Sequence, residues 1–118
     1  MPQFVVLRHD SPHGVHFDLM LEVGGVLKTW ALPQPPAAGV DMECEALRDH
    51  RSAYLEYEGP ISGGRGSVTR WERGTYAVER QSDAEWEVQL AGEKLVGTAS
   101  LCRMSGESSR WRFSFSVT

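Results

Sequence analysis

The chain has 118 residues, of which 41% are hydrophobic and 24% charged, with a formal net charge of −4, so we expect a single domain over residues 1–118 with one core. The acidic balance counts against a protein that coats nucleic acid, because such binding depends on many neutralised phosphates, although it allows an enzyme that contacts one or two phosphates through a metal ion. No apolar stretch approaches the roughly 18 residues of a membrane span and the N-terminus lacks the layout of a signal peptide, which predicts a cytoplasmic protein with no membrane partner.

The first third of the chain has the hydrophobic pattern of β-strands. Residues 4–7 form a short apolar run, and residues 16–22 alternate, with odd-numbered side chains facing a core and even-numbered ones sharing the opposite face. Gly24-Gly25 is typical of a hairpin turn, after which residues 26–32 return as a strand. The prolines of residues 33–36 require a loop, because proline cannot donate to a sheet.

The rest of the chain continues in the same way. Two strand-like runs flank a connection at residues 72–74, and residues 43–49 could form a helical turn, although the segment is too short to decide. The tryptophans recur at strand periodicity and are expected in the core, with a base-stacking platform as the alternative. Later strand-like segments lie at residues 86–90, 95–103 and 110–117, and the first and last of them alternate. They bring the total to seven or eight short strands. The pattern predicts an all-β fold, a closed or nearly closed antiparallel β-barrel of about eight strands or a sandwich.

Three potential metal ligands occur close together near the N-terminus. His16 and Asp18 are two positions apart on one strand face, so their Cα atoms lie about 6.5–7 Å apart. Together with His9 they form a two-histidine, one-carboxylate set that suits Mn²⁺, Zn²⁺ or Fe²⁺ and leaves coordination positions open. The face that carries them points either to solvent or into a polar barrel lumen. Spacing alone leaves a second interpretation open, a polar surface row beside a solvated His9.

Further polar groups lie downstream. Asp49-His50 with Tyr54 could donate hydrogen bonds to a phosphate oxygen or protonate a leaving alkoxide, although from these residues alone a turn histidine and a core tyrosine are the better explanation. The glycine-rich residues 59–67 lack the Gly-Lys-Ser/Thr ending of a P-loop, which favours an inter-strand loop. Cys44 and Cys102 have no CxxC spacing, so we expect small buried thiols with no disulfide and no zinc.

Several separated segments form one collinear pattern. In chain order they are FVVLRHD (4–10), HFDLMLE (16–22), GVLKTWALP (25–33), Asp49-His50 with Tyr54, Glu58-Gly59, WERGTY (71–76), GEKLVG (92–97) and Trp111. Together they resemble one family, the 3′-phosphoesterase domain of bacterial DNA ligase D, over nearly the whole chain.

The resemblance implies an eight-stranded β-barrel with a metal-dependent phosphoesterase site. By this resemblance His9, His16 and Asp18 are the metal ligands, with Mn²⁺ as the first expectation and Zn²⁺ or Co²⁺ as alternatives, and His50 and Tyr54 contact the phosphate. The implied substrates are 3′ ends of nucleic-acid strands, from which a 3′-phosphate or a terminal ribonucleotide is removed, and the implied partners are a DNA-repair ligase or polymerase. Auxiliary candidates around the site are Arg8, Asp10, His13 and Glu22.

The sequence departs from the family pattern at two basic positions. Met20 stands where the family has an arginine and Gln34 where it has a lysine, and methionine cannot donate to a phosphate. Losing one such donor costs on the order of 10²–10³ in rate. The departures keep two alternatives open, a catalytically weakened module that binds a metal or a partner, and a phosphoesterase for a small-molecule ester. The basic residues that could compensate from elsewhere are Arg8, Arg48, Arg51 and Arg65.

Overall fold

A computed structural model describes residues 1–105 and 109–117, most of which lie in antiparallel β-strands. The strands are β1 (Gln3–Ser11), β2 (Gly14–Val23), β3 (Val26–Leu32), β4 (Asp41–Arg51), β5 (Gly59–Pro60), β6 (Ser67–Gln81), β7 (Glu85–Gly92), β8 (Val96–Arg103) and β9 (Arg110–Val117). A short 3-10 turn, Ser52–Leu55, follows β4. Within the described ranges, no helix is long and apolar enough to cross a membrane.

Hydrogen bonding closes eight of the strands into a ring. The order around the ring is β1-β2-β3-β4-β9-β8-β7-β6, and the first half of β6 pairs back with β1. The two-residue β5 pairs with the beginning of β6. Closure leaves the ring strands without long unpaired edges. The expected all-β, closed antiparallel sheet of about eight strands is confirmed.

The inside of the ring is filled by one apolar core to which all eight ring strands contribute. Trp30 lies within it, with its ring 6.0 Å from that of Trp86 and 5.5 Å from that of Trp111, both edge-on. Such edge-to-face contacts add to the burial of large aromatic surfaces. The tryptophans therefore act mainly as core residues, although Trp71 is only partly buried.

A second, smaller apolar cluster lies on the opposite, outer face of β1, β2 and β3. Val5, Leu7 and Met20 belong to it, and the segment between β4 and β6 covers it through Leu55 and Ile61. Because side chains alternate along a strand, the even-numbered residues of β2 point to this outer face. The interior is apolar, so the idea of a polar metal-holding lumen is wrong, and the polar residues of β2 lie outside the ring.

Two local expectations are also corrected. Residues 72–74 lie inside the continuous strand β6, with a β-bulge opposite Val6/Leu7. Residues 43–49 belong to β4 rather than to a helical turn, because this segment pairs with β3 on one side and β9 on the other. The Gly24-Gly25 turn is confirmed, since Val23 pairs directly with Val26.

The two cysteines are not joined. Cys44 is buried, and burial raises the pKa of its thiol to about 12, so the reactive thiolate is scarce at neutral pH. Cys102 lies exposed near the end of β8, so the expectation of a buried thiol is wrong for it.

Candidate functional site

The first hairpin brings three metal-ligand side chains to one point. His9 near the end of β1 pairs directly with His16 near the start of β2, because only a tight turn separates the two strands. Asp18 stands two residues further along β2 on the same face. The register of one hairpin therefore sets the relative positions of all three side chains.

The donor atoms form a compact triangle. His9 Nδ1 lies 3.0 Å from His16 Nε2. Asp18 Oδ1 lies 3.1 Å from His16 Nε2, and Asp18 Oδ2 lies 3.7 Å from His9 Nδ1. A divalent ion held at about 2.0–2.2 Å by nitrogen and oxygen ligands keeps neighbouring donors about 3.0–3.5 Å apart. The triangle therefore has the dimensions of a metal-binding site.

Asp18 has the contacts expected of a ligand rather than of a structural carboxylate. Its residue exposure is 4%, and its buried Oδ1 has no well-directed hydrogen bond to any described residue, the nearby His16 included. A buried polar atom without a partner is costly, and more so when it carries charge. A bound cation would satisfy this oxygen, which is why the donor set fits a metal ion.

His9 is held in the orientation that a metal ligand needs. Its Nε2 lies 2.7 Å from the carbonyl oxygen of Arg65, and since a carbonyl can only accept, this nitrogen carries the proton. Nδ1 is then left with a lone pair directed toward His16 and Asp18. Metal-binding histidines commonly donate their second ring N–H to a backbone carbonyl in this manner.

The loop that supplies this carbonyl is fixed against β1. Its ends are joined by a 2.7 Å hydrogen bond from the Ile61 N–H to the Gly66 carbonyl. Gly66 has φ +91°, and a Cβ atom there would lie 1.8 Å from the carbonyl oxygen of Asp10. Only glycine permits this approach. The close packing positions the carbonyl of Arg65 over His9.

His50 and Tyr54 lie in the same groove as the three donors. This site groove, of ≈ 710 Å³, is lined by the donor triangle, by His50 from β4 and by Tyr54 from the 3-10 turn. His50 Nδ1 lies 2.9 Å from the Arg48 carbonyl and so carries a proton, which leaves Nε2 as the nitrogen for a ligand. The structure thus brings together all five residues that the sequence placed in the metal and phosphate groups.

The auxiliary candidates are not brought into the site groove. Arg8 and Asp10 form an exposed pair with each other at 3.2 Å, because they point to the opposite side of β1 from His9. His13 lies exposed in the hairpin turn. Glu22 accepts a hydrogen bond of 2.9 Å from the Gln3 N–H.

The two departures from the family pattern have different surroundings. Met20 lines the site groove but is 1% exposed, packed with the outer apolar cluster as part of the groove floor. Gln34 lies exposed in the loop after β3.

Sequence reasoning missed two contributions to the groove. Arg110 of β9 lines it, with Nη1 2.9 Å from Glu43 Oε1. Alternation along β9 distinguishes core from outward positions, but it does not indicate that Arg110 reaches a groove built mainly from β1 to β4. The Arg65 carbonyl has no signature at all, because any residue supplies a backbone carbonyl.

His16 carries a proton more readily than an ordinary histidine. The Asp18 carboxylate beside it raises its pKa, an effect only partly offset by burial, which lowers it. A raised pKa in the folded state means that the protonated pair stabilises the metal-free fold at pH below the ordinary value of 6.5. That contribution is lost as pH rises through the raised pKa.

Metal binding should show the opposite pH dependence. Because a ligating imidazole must be unprotonated, we expect Mn²⁺ affinity to fall as pH is lowered from about 8 to about 6. The raised pKa makes the loss begin at higher pH than for an ordinary histidine. Calorimetric Mn²⁺ titrations at several pH values measure this effect. A Mn²⁺ affinity that does not change between about pH 8 and about pH 6 would contradict it.

The fold and site together define a small all-β domain with a candidate metal centre in an open groove on the outside of a closed sheet. Residues 7–103 match the family model described as the DNA Ligase D 3′-phosphoesterase domain. The chain therefore belongs to this family.

Similar curated proteins carry the domain within much longer chains. The multifunctional non-homologous end joining protein LigD of Pseudomonas aeruginosa is 32% identical over 121 residues, which cover 92% of this chain and 14% of that protein. The LigD DNA repair protein of Mycobacterium tuberculosis is 34% identical over 117 residues, which cover 92% of this chain and 15% of that protein. This chain thus spans about one-seventh of the length of these relatives.

Proposed function

We propose that this protein is a divalent-metal-dependent phosphoesterase that heals 3′ ends of nucleic-acid strands by removing a 3′-phosphate or a terminal ribonucleotide. The observation that carries the proposal is the donor triangle of His9, His16 and Asp18 in one groove with His50 and Tyr54. Support for the substrate class comes from membership of the 3′-phosphoesterase domain family and from relatives named for DNA end joining.

In this proposal His9, His16 and Asp18 hold the ion, with Mn²⁺ favoured and Zn²⁺ or Co²⁺ also compatible with the donor set. When bound, the ion polarises a phosphoryl oxygen and lowers the pKa of a bound water. As an imidazolium, His50 donates through Nε2 to a phosphate oxygen or to the departing alkoxide, with its Nδ1–H anchored on the Arg48 carbonyl. The Tyr54 hydroxyl, with its ring 5.7 Å from that of His50, donates a second hydrogen bond to the phosphate.

His50→Ala tests the acid and phosphate-binding role. We expect kcat on a Mn²⁺-activated primer with a 3′-phosphate or a terminal ribonucleotide to fall by about 10²–10⁴, the usual contribution of a positioned proton donor. Mn²⁺ affinity should be unchanged, because His50 is outside the donor triangle. His13→Ala, which removes an exposed histidine outside the groove, is the matched control. Full activity of His50→Ala would refute the assignment.

A second candidate rests on Met20. The groove floor at this position is apolar and buried, where the family pattern has an arginine, which favours either a weakened metal- or partner-binding module or an enzyme for a small phosphate ester. A panel of small phosphate mono- and diesters alongside the primers separates these functions. Turnover of small esters but not of primers indicates an enzyme for small phosphate esters. Intact Mn²⁺ binding without any turnover indicates a metal- or partner-binding module. Association with a DNA-repair ligase or polymerase and a cytoplasmic location stay predictions.

A further inference from the structure

A guanidinium would hold a phosphate in the site groove through charge-assisted hydrogen bonds, and Met20 cannot provide them. The arginines that line the groove, among the residues the structure describes, are Arg65 and Arg110. The guanidinium of Arg110 lies 2.9 Å from the Glu43 carboxylate, which offsets its charge. Arg65 enters from the loop on the other side of the groove and has different partners.

The Arg65 guanidinium contacts only neutral oxygens in the described part of the chain. Its Nε donates to the Ser62 carbonyl at 2.8 Å and its Nη2 to the Ser62 hydroxyl at 3.3 Å. No described carboxylate lies within ion-pair distance of it, in contrast to Arg8, Arg70 and Arg110. In the described part of the chain its charge therefore has no carboxylate partner within ion-pair distance, and two hydrogen bonds to Ser62 hold its exposed side chain.

The same residue is bound to the metal site through its backbone. The Arg65 carbonyl accepts from His9 Nε2, and Gly66 packs against the Asp10 carbonyl, so the loop cannot shift without disturbing a ligand. Such an anchor fixes the backbone of Arg65 at the groove, so only the side chain has freedom to lose on binding. Pre-ordering of this kind lowers the entropic cost of capturing an anion.

We propose that Arg65 is the phosphate-binding cation of this groove, and that its guanidinium holds non-bridging oxygens of the phosphoryl group of a phosphate ester. This inference rests on the proposed phosphoesterase function. Arg65 thereby fills, from the loop, the charge position that the family assigns to an arginine at residue 20. A planar guanidinium can bind two phosphate oxygens at once, which a lysine cannot do.

The test compares Arg65→Gln and Arg65→Lys with the full wild-type chain, because both changes keep the backbone carbonyl that holds His9. Calorimetry measures Mn²⁺ binding first, then binding of inorganic phosphate to the Mn²⁺-loaded protein, and a primer assay gives kcat/KM. For Arg65→Gln we expect unchanged Mn²⁺ affinity, phosphate affinity lower by about 10–100-fold and kcat/KM lower by on the order of 10². Arg65→Lys should give intermediate losses. Arg80→Gln, an exposed arginine on β6, controls for net charge.

Each result decides a separate point. Phosphate binding by Arg65→Gln equal to wild type overturns the inference, as does a wild-type protein that binds no phosphate. Loss of Mn²⁺ binding together with phosphate binding also overturns it, since Arg65 would then act only by positioning His9. If the wild type binds phosphate but turns over no primer, and Arg65→Gln loses phosphate affinity while Arg80→Gln keeps it, the proposed function fails and the phosphate-binding role stands.

Discussion

Asp18→Asn is expected to abolish high-affinity Mn²⁺ binding and to lower phosphoesterase activity by at least about 10³-fold, because the metal supplies several kcal/mol of transition-state stabilisation. Asp18 is the one charged member of the donor triangle, and its carboxylate contacts both histidines. A neutral amide at this position keeps the shape but removes the charge that attracts the cation. The measurement pairs a calorimetric Mn²⁺ titration with a primer assay.

Stability distinguishes a metal ligand from a structural carboxylate. At pH above the raised pKa of His16, where the protonated His16–Asp18 pair no longer contributes, Asp18→Asn should leave the Tm of the metal-free protein unchanged or raise it, because Asp18 Oδ1 is buried without a well-directed donor in the described structure. The rise in Tm that Mn²⁺ gives the wild type, through preferential binding to the folded state, should disappear. Asp10→Asn, an exposed carboxylate on the same hairpin, should keep that rise. A metal-induced rise that survives in Asp18→Asn would contradict the ligand assignment.

Glu72→Gln is expected to destabilise the fold by about 3 kcal/mol or more, because buried N–H groups lose a charged acceptor. Glu72 is 2% exposed, and its two carboxylate oxygens accept four backbone N–H groups. Oε1 receives those of Arg73 and Glu93, each at 2.9 Å, and Oε2 receives those of Lys94 and Leu95, each at 2.6 Å. A glutamine would direct its own NH₂ group at two of these donors.

Urea unfolding monitored by tryptophan fluorescence measures the effect of Glu72→Gln. The matched control is Glu93→Gln, which changes an exposed carboxylate in the same turn and should alter the unfolding free energy by less than about 0.5 kcal/mol. The Mn²⁺ affinity of folded Glu72→Gln protein should stay near the wild-type value, because Glu72 is not among the residues that line the site groove. An unfolding curve equal to that of the wild type would show that the buried carboxylate contributes no net stability.

Alternation along β2 is a strong sequence signal, because a strand has a period of two and His16 and Asp18 must share a face. Resemblance to a family then favoured the metal interpretation of His9, His16 and Asp18 over a polar surface row and assigned His50 and Tyr54 to the phosphate. The period does not say which face closes around the core. That depends on eight strands meeting in a ring and on residues between β4 and β6 covering the outside, both of which are long-range contacts.

Other features depend on contacts that leave little trace in sequence. Glu72 sits in a Glu-Arg-Gly stretch that favours a turn, yet it lies within β6, where the turn after β7 provides three N–H donors around its carboxylate. Arg65 acts on His9 through a backbone carbonyl, for which residue identity carries no information. In the sequence, only Gly66 beside it relates to this contact. The loop backbone approaches β1 so closely at this position that no side chain fits.

The most direct test of the metal centre is a crystal structure of the Mn²⁺-loaded protein with anomalous scattering collected at the manganese edge. We predict a single strong peak per chain, about 2.0–2.3 Å from His9 Nδ1, His16 Nε2 and an Asp18 oxygen, with the remaining positions open toward His50. A peak located elsewhere, or crystals soaked in excess Mn²⁺ that show none between these three side chains, would contradict the account.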